Sequence, residues 1–287
     1  MNDHIRTNAE SPTMRRLLTA VLVVAMLAAA ATVAWRQLGE HADRLLPDEC
    51  RSVVDTLDAR VTPEQARNAA LITAIAIKRG LPARAVTIAL ATAYQESKIY
   101  NIDYGDRDSV GLFQQRTSQG WGTIKQIMNP TYSTNKFYDG LVKVKGYETM
   151  EVTVAAQRVQ RSAFPNAYAD HEPDARALAS ALTGQSPAAF SCRFGSFEPG
   201  STTRVRKRLI RTFGTYVANP VITGRALTIT PPTSTLGWAI AQWTVAHANR
   251  LGVTNVKYAG QVWSGRQGWT EATGSGTDAQ IVVTVTP

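Results

Sequence analysis

The sequence predicts a mainly α domain followed by a small α+β domain, with a single transmembrane helix at the N-terminus. Three observations carry that expectation. Leu17 to Trp35 is an uninterrupted apolar run without a charge, and Arg15 and Arg16 precede it. Residues 50–185 hold apolar residues at helical spacing, broken by Gly, Pro and Asp. Residues 200–287 instead combine helical runs with β-branched runs near 254–258 and 281–286.

Residues 1–16 read as a cytoplasmic tail and 17–35 as a signal anchor. Nineteen helical residues reach about 28 Å, close to the ~30 Å apolar thickness of a bilayer. The arginines on its N-terminal side orient the anchor N-in, with the rest of the chain outside the cytoplasm. Ala29-Ala30-Ala31 supports the rival reading, a cleaved signal peptide and a secreted protein. Residues 36–49 read as a linker, 50–199 as the first domain and 200–287 as the second. Thr62 caps a helix with Pro63 at its first position and Gln65 completing a capping box. Gly80 and Pro82 end it. A second helix, Ala83 to Lys98, carries Glu96. Asn101 to Ser109 is a loop, and Asn129-Pro130 marks a turn before the segment Asn135 to Leu141. Helices are expected over Glu151–Ser162 and Pro173–Leu182, then over Arg204–Tyr216 and Leu236–Leu251.

The 287 residues are 44% hydrophobic, which supports a packed core and excludes a disordered chain. The net charge is +9, which favours acidic partners. Outside the membrane these are wall polymers and peptidoglycan carboxylates rather than nucleic acid. The densest basic run, Arg204 to Arg211, reads as a helix with a solvated basic face. The two cysteines, Cys50 and Cys192, bracket the Glu96 region, and an oxidising compartment favours a disulfide between them. Asp103, Asp106 and Asp108 lack the Gly and distal Glu of an EF-hand, so no calcium loop is expected.

The chemistry concentrates at Glu96-Ser97 and at Gly111-Leu112-Phe113-Gln114-Gln115, which begins fifteen positions after Glu96. Glycan cleavage needs a carboxylic acid still protonated near neutral pH, and burial among apolar groups raises a carboxyl pKa. Ala91, Ala93, Tyr94 and Ile99 supply such surroundings. Gly111 allows close backbone approach to a sugar, and Gln114 offers a donor and an acceptor to sugar hydroxyl or N-acetyl groups. This pattern resembles the lysozyme-like superfamily, specifically the Slt-type lytic transglycosylases and goose-type lysozymes. The resemblance implies Glu96 as general acid, with Ser97, Gly111, Leu112, Phe113 and Gln114 around the substrate. A second patch, Ala155 to Pro165, is similar to the helix opposite the acid in that family. There Val159-Gln160 stands in place of Tyr-Asn, so Gln160 substitutes for the amide and Tyr168 for the aromatic.

Residues 200–287 are similar to actinobacterial wall-associated domains related to zinc D,D-peptidases of the hedgehog-like superfamily. The likeness rests on Gly224-Arg225-Ala226, the Trp238 to Gly252 helix, Trp263 and the final strand. Val221, Thr228, Gln280 and Val282 occupy the positions of that family's zinc ligands, and none is a usual ligand. The four histidines, His4, His41, His171 and His247, include no pair at ligand spacing. The region is expected to be a metal-free module that presents Trp263 or Trp269 to the wall or to the first domain.

The expectation is therefore an envelope enzyme that cleaves the glycan strands of peptidoglycan, without cofactor or metal. Lytic transglycosylase and muramidase stay open; the second needs a further carboxylate, for which Asp103, Asp106 and Asp108 are the candidates. The alternative is a catalytically inactive lysozyme-like protein that binds the wall or serves as a scaffold. The sequence names no protein partner.

Overall fold

The computed structural model describes residues 25–35, 47–161, 167–217, 219–272 and 279–287. A hairpin opens the main body: β1 (Glu49–Val54) and β2 (Leu57–Val61), turned at Asp55 with φ 51°. A later strand, β5 (Phe190–Arg193), pairs with the free edge of β1 and gives the order β2-β1-β5. This sheet corrects the expectation of a mainly α first domain. Its buried side chains include Cys50, Ser52, Ala59 and Val61. Small and polar residues mute the apolar alternation by which a strand is recognised.

Between β2 and β5 the chain is largely helical. The helices are α1 (Pro63–Lys78), α2 (Ala83–Ser97), α3 (Ile124–Ile127), α4 (Pro130–Leu141), α5 (Val152–Gln160) and α6 (Glu172–Leu182). A short ladder, β3 (Ser109–Val110) with β4 (Gln115–Arg116), follows α2. α1 starts as its sequence predicts, with Thr62 and Gln65 closing a capping box and Pro63 in the first turn. α2 is the centre of the packing. Every residue from Ala85 to Ala93 is buried, against α1, α5 and α6. Its alanines let those helices approach closely.

The remainder comprises α7 (Thr202–Phe213), β6 (Val221–Thr223), β7 (Ala226–Ile229), α8 (Ser234–Ala246), α9 (Ala248–Leu251), β8 (Val253–Tyr258), β9 (Gln261–Ser264), β10 (Gly268–Glu271) and β11 (Ile281–Val285). The strands form one antiparallel sheet in the order β10-β9-β8-β11-β7-β6. With three antiparallel sheets among the described residues, the fold is mixed α/β rather than mainly α.

Residues 48–287 pack as one compact unit, and three contacts explain why. Gln242 of α8, fully buried, accepts from Phe190 N–H at 2.7 Å and donates to Ala181 O at 2.6 Å. Gly184 ends α6 at φ 80°, and a Cβ there would lie 1.9 Å from Thr235 O, so only glycine lets α6 and α8 meet. Trp263 and Trp269 donate their indole N–H groups to Cys192 O and Phe190 O, at 3.2 and 2.8 Å. These tryptophans face β5, and Trp263 is fully buried.

The expected transmembrane helix needs correction. Among the described residues no helix is long and apolar enough to cross a membrane. Residues 25–35 are helical, and eleven residues reach only about 16 Å. Residues 1–24 and 36–46, which include the rest of the apolar run, the cytoplasmic tail and most of the linker, lie outside the described residues.

α7 buries Val205, Leu209 and Phe213 and begins under a Ser201 cap. Arg204, Lys207, Arg208 and Arg211 stand at i, i+3, i+4 and i+7, one stripe of the helix. Like charges at these spacings destabilise a helix by about 0.2–0.5 kcal/mol per pair.

Cys50 and Cys192 are directly opposed across β1 and β5 and are joined as a disulfide, at a sequence separation of 142. Replacing both with serine is expected to lower the unfolding free energy by about 3–5 kcal/mol, because the bridge closes a long loop in the unfolded chain. Urea titration of both proteins measures it. A loss below about 1 kcal/mol would mean that strand pairing alone holds β1 to β5.

Candidate active site

Glu96 lies in the last turn of α2, where the helix comes out of the core. Lys98 and Ile99 then take left-handed backbone, at φ 54° and 60°. The helix closes through Lys98 N–H to Tyr94 O at 2.8 Å and Ile99 N–H to Ala93 O at 2.9 Å. Glycine usually fills such positions, and a buried β-branched Ile99 there costs about 1–3 kcal/mol. α1 holds the strained turn in place. Gln65 Nε2 donates to Lys98 O and Asn68 Nδ2 to Ile99 O, both at 2.8 Å. Ser97, itself buried, donates its hydroxyl to Leu112 O at 2.8 Å and fixes the β3–β4 ladder against the end of α2.

The Glu96 side chain is half-buried between two of the residues singled out from the sequence. Tyr168 donates its hydroxyl to Glu96 Oε1 at 2.7 Å. Gln160, the last residue of α5, also hydrogen-bonds the carboxylate. Its Nε2 donates to Phe113 O at 2.7 Å. Burial pushes the Glu96 carboxyl above its ordinary value of 4.5. The hydrogen bonds from Tyr168 and Gln160, and the charge of Arg116, oppose that rise without cancelling it.

The residues of the Gly111–Gln114 run build the floor beneath the acid. Leu112 and Phe113 are fully buried, and Phe113 stacks on Phe137 with ring centroids 4.6 Å apart. A Cβ on Gly111, at φ 80°, would lie 3.0 Å from Ile127 O, so this glycine lets the ladder rest on α3. Gln114, at φ 45°, donates to Tyr104 O and Gly111 O, both at 3.2 Å, and holds the preceding loop. Of the three aspartates in that loop, Asp106 pairs with Arg116 at 2.7 Å. Asp108 accepts from Ser118 N–H at 2.8 Å and its hydroxyl at 2.9 Å, and Asp103 is exposed.

Gln160 also lines a cavity of about 620 Å³ with Trp121, Lys143, Arg158 and Arg161. Its Oε1 is buried and has no hydrogen-bond partner among the described residues. That acceptor, the half-buried ring of Trp121 and three cations suit a ligand bearing amide and carboxylate groups. Sequence reasoning missed Arg116, Trp121, Gln65 and Asn68. Each acts through a contact distant in sequence from Glu96, so no local spacing marks it.

The four positions likened to zinc ligands also come together. Val221, Thr228 and Val282 are direct partners across β6, β7 and β11, and Gln280 precedes β11 and bonds Thr230 Oγ1 at 3.2 Å. Among the described residues no cluster of three or more His, Cys, Asp or Glu is arranged to hold a metal ion.

Residues 205–282 match the family model described as VldE, C-terminal domain. No curated protein matches the chain. The matched segment runs from α7 to β11 and includes the Val221–Thr228–Val282 row. It leaves Glu96, Tyr168 and Gln160 outside.

Glu96 holds its proton more tightly in the folded chain than in the unfolded one. Its stabilising contribution is therefore full below its ordinary value of 4.5 and is lost as pH rises through the raised folded value. Glutamine keeps an acceptor for Tyr168 and cannot ionise. Glu96→Gln is expected to match the wild type in stability near pH 4 and to exceed it near pH 8, as read by chemical denaturation. A stability difference that is the same at both pH values would show that folding does not raise this carboxyl.

Proposed function

We propose that the protein cleaves the β-1,4 bond between N-acetylmuramic acid and N-acetylglucosamine in peptidoglycan, with Glu96 as general acid. The observation that carries this reading is the Glu96 carboxyl, raised by burial and held by Tyr168 at 2.7 Å beside Gln160. In its protonated form, which burial favours, Glu96 gives its proton to the glycosidic oxygen as the C1–O4 bond breaks. The muramic C6 hydroxyl then attacks C1 and returns its proton to Glu96. The bond C1–O6 forms, no water is consumed, and the product is a 1,6-anhydro sugar. Two of the three candidate aspartates support this over hydrolysis. Asp106 is engaged by Arg116 and Asp108 by Ser118, which commits both to holding the loop. The likeness to lytic transglycosylases adds the same expectation. The disulfide suits an extracytoplasmic setting, where such a substrate lies.

The alternative reading is an inactive wall-binding protein. What favours it is the C-terminal row of Val221, Thr228 and Val282, which keeps the position of a site without its chemistry.

Two tests separate these readings. Purified wild-type protein incubated with peptidoglycan is expected to release anhydro-muropeptides, identified by mass. Glu96→Gln is expected to lose about 10²–10⁴-fold of that rate while retaining wall binding. No release by either would favour the binding protein, and equal release by both would show that Glu96 is not the acid. The second test is the pH profile. Tyr168→Phe removes a hydrogen bond that stabilises the ionised carboxyl, so the alkaline limb of kcat/KM should move to higher pH. An unmoved limb would mean that another group supplies the proton.

A further inference from the structure

We propose that the groove between α1, α4 and α7 binds a phosphodiester-linked polyol. This site is separate from Glu96 and does not rest on the glycan-cleaving reading. Two cavities, of about 540 and 510 Å³, share Leu71, Thr131, Arg208, Arg211 and His247 and so form one continuous groove. Arg67, Arg204, Lys207, Arg208, Arg211 and Arg250 line one end. Lys78 and Arg79 line the other.

The protein neutralises little of this charge: Arg79 pairs with Asp139 at 2.9 Å, at the far end. Among the described residues, Arg67, Lys207, Arg208, Arg211 and Arg250 make no ion pair. Burial is the main influence on Arg67, and the repulsion of Arg250 outranks the pull of Glu64 and Glu198. The stripe on α7 repeats the pattern, setting like charges side by side against helix stability. A groove that keeps such a cluster at a cost to itself is built for a multiply charged anion.

The floor narrows the class. His247 is buried, and its Nδ1 lies 2.9 Å from Trp243 O. A carbonyl only accepts, so Nδ1 carries the proton and Nε2 is an acceptor. Burial and the nearby Arg208 and Arg67 push the imidazole down to about 3, which keeps it neutral. The indole Nε1 of Trp243, a residue only 2% exposed, has no partner among the described residues. Thr131 and Asn135 of α4 add neutral polar groups. Cations at both ends, with neutral donors and acceptors beside them, match a chain that carries both phosphates and hydroxyls. The groove's aromatic rings, Trp243 and His247, are both buried, so no platform is offered to stacked bases and nucleic acid fits less well.

The test is fluorescence anisotropy of a labelled glycerol-phosphate oligomer with the full chain, between 50 and 200 mM salt. Wild type should bind, and Arg208→Glu/Arg211→Glu should bind about ten- to hundredfold more weakly. The slope of log affinity on log salt should fall by about 1.4, or about 0.7 for each lost phosphate contact. Arg206→Glu, on the same helix but outside the groove, and Glu96→Gln should bind as wild type. The proposal fails if the oligomer does not bind, if Arg206→Glu weakens it as much as the groove pair, or if poly-glutamate competes equally. Tighter binding of single-stranded DNA would assign the groove to nucleic acid and overturn it.

Discussion

The burial of α2 is the constraint on which the rest of this structure depends. Every residue from Ala85 to Ala93 is enclosed, so the helix has no freedom to shift or rotate. Its final turn must therefore deliver Glu96 to one place. α1 answers with Gln65 and Asn68, which hold the strained carbonyls of Lys98 and Ile99. Ser97 then ties the β3–β4 ladder to the helix, and the ladder offers Phe113 O to Gln160. The acid, its phenol and its amide are thus placed by three different elements, each braced against the same helix. Strain at Ile99 and Gln114 is tolerated because the neighbouring packing leaves those residues no alternative.

The same architecture joins the two halves of the chain. Gln242 bonds the end of α6 and the start of β5 at once, and two indoles satisfy the outer carbonyls of β5. The disulfide closes the opposite edge of that strand onto β1. β5 is consequently the seam of the molecule. The region matched to the VldE C-terminal domain model packs against the Glu96 half through this seam and also directly on α1 and α6. That arrangement presents Trp263 and Trp269 to the first domain, one of the two roles their sequence suggested.

Much of the Glu96 site was legible in the sequence, because its parts obey short-range rules. The capping box at Thr62, the end of α2 and the Gly111 turn are local signals. Tyr168 and Gln160 were found through family likeness, which carries long-range pairing that spacing alone does not. Leu112 and Phe113 were read as substrate contacts, yet both are core; a motif marks where a segment matters without saying which way its side chains point. The β1–β2 hairpin was missed because Ser52 and Ala59 hide its alternation. The basic groove was missed for a different reason. The sequence revealed the stripe on α7 but not that Arg67, Arg250 and His247 would face it, since that depends on how α1, α7 and α9 pack.

The central claim is that folding raises the Glu96 carboxyl above its ordinary value. The most direct test is a site-resolved titration, following the Glu96 side-chain carboxyl by carbon-13 NMR in the intact protein. The account predicts a midpoint above the ordinary 4.5, moving higher still in Tyr168→Phe. A midpoint at or below 4.5, or one that falls when the phenol hydroxyl is removed, would contradict it.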